Sequence, residues 1–180
     1  MLHVRRRIYT WLERAALASG TLGPSGLTPL EQPRRVIFVC TGNICRSPYA
    51  EFVARTYGLE ALSCGTHTTS GRPADRTAME EAQRRGVDMK NHLTTRWQEL
   101  ELRAGDLIVT MQLRHALTVR PRAHQHGCYV VMLNAYLLPD FAVIWDPYGR
   151  PATDYRASFD LIDAGVGRLA QHVQAHVAQA

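Results

Sequence analysis

The sequence predicts an α/β fold, a three-layer sandwich in which a four-stranded parallel sheet is covered by helices on both faces. Two observations predict it. Short runs rich in β-branched residues alternate with longer amphipathic stretches from Arg34 almost to the end of the chain, and strands alternating with helices pair in parallel through crossovers. The first of these runs, RRVIFVCT (34–41), is apolar throughout its centre, as a strand buried on both faces must be. With 180 residues, 46% of them hydrophobic and 21% charged, the chain can bury one sizeable core. No apolar run reaches the ~18–20 residues that a membrane span needs.

The elements follow in order. Residues 2–18 (LHVRRRIYTWLERAALA) place Ile8, Trp11, Leu12, Ala15 and Ala16 at helical spacing, so a short helix is expected. Residues 19–33 carry three glycines and three prolines and read as a linker. Residues 1–34 are therefore expected to form an arm, and 35–180 the domain. After strand RRVIFVCT, the stretch SPYAEFVARTYG (47–58) reads as a helix, with Pro48 in its first turn and Gly58 at its end. LEALSCG (59–65) is a second strand. ADRTAMEEAQRRG (74–86) is a helix ending at Gly86, and LTTRWQELELRAG (93–105) is expected to be helical as well. DLIVTM (106–111) and CYVVML (128–133) are the third and fourth strands, and a long helix is expected over 153–176. In such a sheet, ligands bind beyond the carboxyl ends of the strands.

Charge and cysteine usage narrow the function. The net charge is +5. Residues 1–35 hold six arginines against two glutamates, so +4 of it belongs to the arm and +1 to the remainder. No basic nucleic-acid-binding face is expected. A basic amphipathic arm can lie on an anionic membrane surface or meet a partner; the alternatives are that Ile8, Trp11 and Leu12 dock on the domain or that the arm is disordered. Four cysteines in a chain of this length do not make a secreted disulfide scaffold, and Cys64 and Cys128 read as packing residues in strands. The N-terminal apolar run is broken by Glu13 and Arg14, so no signal peptide is expected and the reducing cytoplasm is. The histidines are scattered: His172 and His176 share helical spacing without a third partner, and no metal or cofactor is expected.

The chemistry is concentrated in VCTGNICRSP (39–48). Cys40 ends the first strand, and the next helix begins at Ser47 or Pro48. The turn between them, Thr41 to Arg46, points backbone N–H groups at an anion at the helix N-terminus. Gly42 and Asn43 tolerate the positive φ that such a turn needs. Arg46 adds a planar fork of donors suited to phosphate oxygens. These surroundings favour a thiolate at Cys40, placed to attack phosphorus, with the Ser47 hydroxyl donating to the sulfur. A general acid must then protonate the leaving group. Asp146, in IWDPYGRP (144–151) and held by Trp145 and Pro147 in a partly apolar loop, is the candidate.

Cys40-x5-Arg46-Ser47 near the start of the fold, with Asp146-Pro147-Tyr148 much later, resembles the low-molecular-weight protein tyrosine phosphatase family. SCGT (63–66), GRPAD (71–75) and DLIVTM (106–111) are similar to its intermediate signatures. The resemblance covers about residues 36–172. It implies a four-stranded parallel sheet, no metal, Cys40 as nucleophile, Arg46 as phosphate binder and Asp146 as acid. It also implies that Asn43 holds the loop, and that Cys45 is a redox partner able to close a disulfide with Cys40. The phosphate-binding loop is then Thr41, Gly42, Asn43, Ile44, Cys45 and Ser47, and the substrate is a phosphorylated protein.

The family resemblance leaves several activities: phosphotyrosine hydrolysis, phosphoarginine hydrolysis, arsenate reduction, or a silent phosphate-binding module. Ile44 resembles the tyrosine-directed members, whereas the arginine-directed branch has threonine there. An apolar side chain favours an aromatic leaving group. Tyr148 would flank the substrate ring. Tyrosine-directed members usually carry a second aromatic after the SAGT-like motif, where this chain has HTTSG (67–71), so His67 is the substitute. DPYG followed by Tyr155 is similar to the arginine-directed branch, and Gln112 stands where the family usually has an acidic residue. Arsenate reduction needs a closely spaced cysteine pair that Cys64 and Cys128 do not make. The expected activity is phosphotyrosine hydrolysis.

Overall fold

The structure, a computed structural model, describes residues 2–20, 22, 33, 35–137 and 142–177, and the side chains of 8–175 within them. Four strands, β1 (Val36–Cys40), β2 (Ala61–Gly65), β3 (Leu107–Thr110) and β4 (Tyr129–Met132), form one sheet in the order β2-β1-β3-β4. All three pairings are parallel. Among the described residues five α-helices accompany them: α1 (Leu2–Ala18), α2 (Arg46–Thr56), α3 (Arg76–Arg84), α4 (Leu113–Gln125) and α5 (Ala152–Val177). The expected α/β architecture is the observed one.

Side chains alternate across the sheet, as the period of two requires. Val36, Phe38 and Cys40 face a core shared with α2, α3 and α5. Ile37 and Val39 face a second core shared with Trp97 and with Ala116, Val119 and Ala123 of α4. Burying β1 on both faces explains its uninterrupted apolar run. On the first face Tyr49 of α2 stacks on Phe159 of α5, with ring centroids 3.8 Å apart. This fixes α2, whose first turn carries Arg46, Ser47 and Pro48.

Two expectations are corrected. Residues 93–105 are not a helix: they hold only a single 3-10 turn, Trp97–Glu99. Thr95 O accepts from Gly65 N and Thr95 N donates to the Asn43 side chain, so the segment runs on beside the end of β2. Arg122 of α4 then donates to Trp97 O and Leu100 O, which takes carbonyls a helix would use. Conversely, α4 was not expected. Its apolar positions Ala116, Val119 and Ala123 do follow helical spacing, but they are small, and Pro121 interrupts the pattern.

The helix expected over residues 2–18 is present as α1. Its docked face is not the expected one. Ile8, Trp11 and Leu12 are exposed, whereas Glu13 and Leu17 are buried. Leu17 and Leu22 join the second core, and Leu22 O accepts from Met132 N at the edge of the sheet. Of the expected linker, only residues 19, 20, 22 and 33 lie within the described residues.

Candidate active site

β1 ends at Cys40 and α2 begins at Arg46, so five residues make the turn between them. Asn43 carries the positive φ of the turn, at 55°, whereas Gly42 does not adopt one. Asn43 meets the cost of that conformation with a buried network. Its Nδ2 donates to Ser47 Oγ at 3.0 Å and to Ser63 Oγ at 2.8 Å, and its Oδ1 accepts from Thr95 N at 2.8 Å. Ser63 in turn donates to Glu51 at 2.5 Å. His92 Nε2 pairs with Asn43 O at 2.8 Å. Strand β2 closes the other side. A Cβ on Gly65 would stand 2.8 Å from Thr41 O and 2.9 Å from Thr68 Cγ2, so only glycine lets the turn lie against that strand.

Cys40 Sγ lies at the base of the turn. Asn43 N donates to it across 3.2 Å, and Ser47 Oγ is 3.0 Å away. Since Asn43 already donates to Ser47 Oγ, the serine proton is left for the sulfur or for Cys64 O at 3.3 Å. Both donors favour negative charge on sulfur. Cys45 is buried in the same turn, and burial pushes its thiol pKa up, as it does for Cys64. All four cysteines are free.

Arg46 is almost fully buried. Its Nη1 donates to Gln112 Oε1 at 3.1 Å and Ile144 O at 3.2 Å, and its Nη2 pairs with Asp146 Oδ2 at 2.5 Å. Its Nε has no partner among the described residues. Asp146 does not sit in the partly apolar setting expected of it. Pro147 is buried, but the carboxylate lies between Arg46 and Arg114, the latter at 3.8 Å, and is 38% exposed. Tyr148 N donates to Asp146 Oδ1 at 3.3 Å, and the Tyr148 ring is exposed.

These groups surround one cavity of about 260 Å³. Cys40, Thr41, Gly42 and Arg46 line it together with Ile44, Cys45, His67, Asp146 and Tyr148. Asn43 and Ser47 stand behind the turn and hold it. The structure thus brings the site residues named from the sequence to one place, at the cavity or directly behind it. It adds Thr68 and Arg72 to the lining, and Ser63, Glu51, His92, Gln112 and His115 to the support.

His115 on α4 carries a consequence for stability. Its Nε2 pairs with Thr41 Oγ1 at 2.9 Å, and its Nδ1 has no partner among the described residues. Burial, followed by the charges of Arg46, Arg114 and His67, pushes its pKa down to about 2. Burial lowers His92 as well. An unfolded histidine titrates near ~6.5. Below that pH the unfolded chain binds a proton that folded His115 refuses. The stability is therefore complete above about pH 6.5 and falls as pH drops, by up to about 1.4 kcal/mol per pH unit from this residue. Urea midpoints should decline between about pH 7 and 5, and His115→Gln should flatten that slope. An equal slope in the variant would show that His115 is not the group responsible.

Known proteins resemble this chain over most of its length. A family model described as low molecular weight phosphotyrosine protein phosphatase matches residues 35–179. The chain is 28% identical over 144 residues to the probable low molecular weight protein-tyrosine-phosphatase EpsP of Ralstonia nicotianae, covering 79% of this chain and 97% of that one. It is 27% identical over 145 residues to a protein-arginine-phosphatase of Geobacillus stearothermophilus, covering 79% and 97%. Among solved structures, Vibrio vulnificus Wzb in complex with benzylphosphonate superposes with a TM-score of 0.66 at 25% identity, covering 77% of this chain and 98% of Wzb.

Proposed function

We propose a function from one premise: the chain belongs to the low molecular weight phosphotyrosine protein phosphatase family. It hydrolyses phosphotyrosine in proteins through a phosphocysteine on Cys40. The observation that carries this reading is the Cys40 sulfur, held by Asn43 N–H and the Ser47 hydroxyl at the base of a cavity into which Arg46 also reaches.

The steps follow from the groups present. A phosphate dianion entering the turn takes the donors of Arg46, including Nε, and loosens the Arg46–Asp146 pair. The Cys40 thiolate attacks phosphorus, forming the S–P bond as the bond to the tyrosine oxygen breaks. Asp146, having taken up a proton from solvent as Arg46 turned to the phosphate, gives it to that oxygen. Asp146 then takes a proton from water as the water oxygen attacks phosphorus. The S–P bond breaks, and inorganic phosphate leaves with the thiolate restored.

Phosphotyrosine is favoured by the lining of the cavity. Ile44 and Tyr148 offer apolar surface to a ring. The one carboxylate among the described lining residues is Asp146, which is assigned to proton transfer, so no second acid is left there to hold a guanidinium. Arg72 in the same lining adds positive charge, which suits acidic sequence beside the phosphotyrosine. The arginine-phosphatase reading is kept because no second Trp, Tyr or Phe lines the cavity among the described residues and an arginine phosphatase is among the relatives. We also place the protein in the reducing cytoplasm; its four free cysteines support this, and no helix of the described residues is long and apolar enough to cross a membrane.

The test is steady-state kinetics on matched phosphotyrosine and phosphoarginine peptides and on an aryl phosphate with a good leaving group, using wild type and Asp146→Asn. Phosphotyrosine should be preferred. Asp146→Asn should slow the phosphotyrosine peptide by about 10²–10³ and the good leaving group far less. A preference for phosphoarginine removes the substrate assignment. Equal slowing of both aryl substrates removes the acid.

A further inference from the structure

α1 does more than cover the second core. Glu13 is a charged residue with no exposed surface, and a buried charge persists only when its oxygens are paired. Both are paired. Oε1 accepts from Leu113 N at 3.1 Å, and Oε2 accepts from Asn134 Nδ2 at 2.9 Å. Leu113 is the first residue of α4, so the carboxylate satisfies one of the free N–H groups there and stands where the helix dipole favours negative charge. The residue before it is Gln112, the N-cap of α4, which has no capping bond from its own side chain. That side chain points elsewhere: its Oε1 accepts from Arg46 Nη1 at 3.1 Å and from Arg114 Nε at 3.2 Å. Burial raises the Glu13 carboxyl, while its two hydrogen bonds and the charges of Arg46 and Arg114 act the other way.

We propose that Glu13 is a positioning residue for the phosphate-binding arginine. By fixing the start of α4 and Asn134, it holds Gln112 where its carbonyl oxygen orients the Arg46 fork. The N-terminal helix then belongs to the working unit of the active site, although it precedes the domain by a long stretch of chain. This rests on Arg46 binding phosphate, as read above.

Two substitutions test the chain of contacts. Glu13→Met replaces the buried carboxylate with an unbranched apolar side chain of similar length, at a cost in stability because buried donors lose their acceptor. It leaves Leu113 N and Asn134 Nδ2 without their acceptor. Gln112→Ala keeps α1 intact and removes the contacts to Arg46 and Arg114. Each is expected to weaken binding of inorganic phosphate, measured by calorimetry, by about tenfold, with a similar loss in kcat/KM. The double variant should be no worse than either single, because both act through one arginine. Glu13→Gln should recover most of the loss. It keeps an acceptor for Leu113 N, and Asn134 Oδ1, buried and unpartnered among the described residues, can turn to receive the new amide.

A merely structural Glu13 would change the melting temperature and leave phosphate affinity untouched. Wild-type affinity in folded Glu13→Met overturns the proposal, as does additivity in the double variant. Should Glu13→Met not fold, wild-type affinity in Gln112→Ala overturns it just as well. Phosphate binding needs no turnover, so wild-type protein that binds phosphate yet leaves phosphotyrosine intact would defeat the substrate reading and not this one.

Discussion

Cys40→Ser is expected to lower kcat on a phosphotyrosine peptide by about a million-fold, the scale on which removal of a covalent nucleophile is felt. The reason is chemical rather than steric. A serine oxygen in this position receives the same Asn43 N–H and Ser47 contacts. It does not ionise near neutral pH and is a far weaker nucleophile than a thiolate. The turn, Arg46 and the Asn43 network do not depend on the sulfur for their shape. Phosphate affinity, measured by calorimetry, should therefore survive within about tenfold. Turnover that persists within about a hundredfold of wild type would place the nucleophile elsewhere.

Arg46→Lys is expected to cost about 10³ in kcat/KM despite keeping the charge. Arg46 serves four directions at once: Gln112 Oε1, Ile144 O, Asp146, and an Nε without a partner among the described residues. A lysine ammonium is a single point with no fork. In the position of Arg46, itself only 1% exposed, it can satisfy Gln112 and Ile144 or turn to the phosphate, but not both. Phosphate affinity should fall together with turnover, unlike in Cys40→Ser. A lysine variant with kcat/KM within about tenfold of wild type would mean that charge alone suffices, and the orienting role of Gln112 would lose its purpose.

What could be read from the sequence was what lies close together along it. Cys40 to Ser47 carries nucleophile, cradle and cation in one turn, and Asp146 is marked by the proline that follows it. The rest is long-range. Ser63 reaches Asn43 from 20 positions away, Gln112 reaches Arg46 from 66, and Glu13 reaches Asn134 across 121. No local pattern announces such pairs. Glu51 could have been found, since it lies four residues after Ser47 on one helix face. Glu13 was read as the charge that breaks an apolar run, because a lone acid among arginines on a short helix normally faces water. The misreading of 93–105 has the same origin: its apparent helical pattern was overridden by Arg122 and by the end of β2, both remote in sequence.

The central claim is the covalent intermediate, and rapid quenching tests it directly. Protein mixed with a phosphotyrosine peptide, stopped in acid within the first turnover and digested, should yield one peptide heavier by a phosphoryl group, with the label on Cys40. The label should be absent in Cys40→Ser. Full turnover with no phosphorylated Cys40 at any quench time, or a label on another residue, would contradict the mechanism.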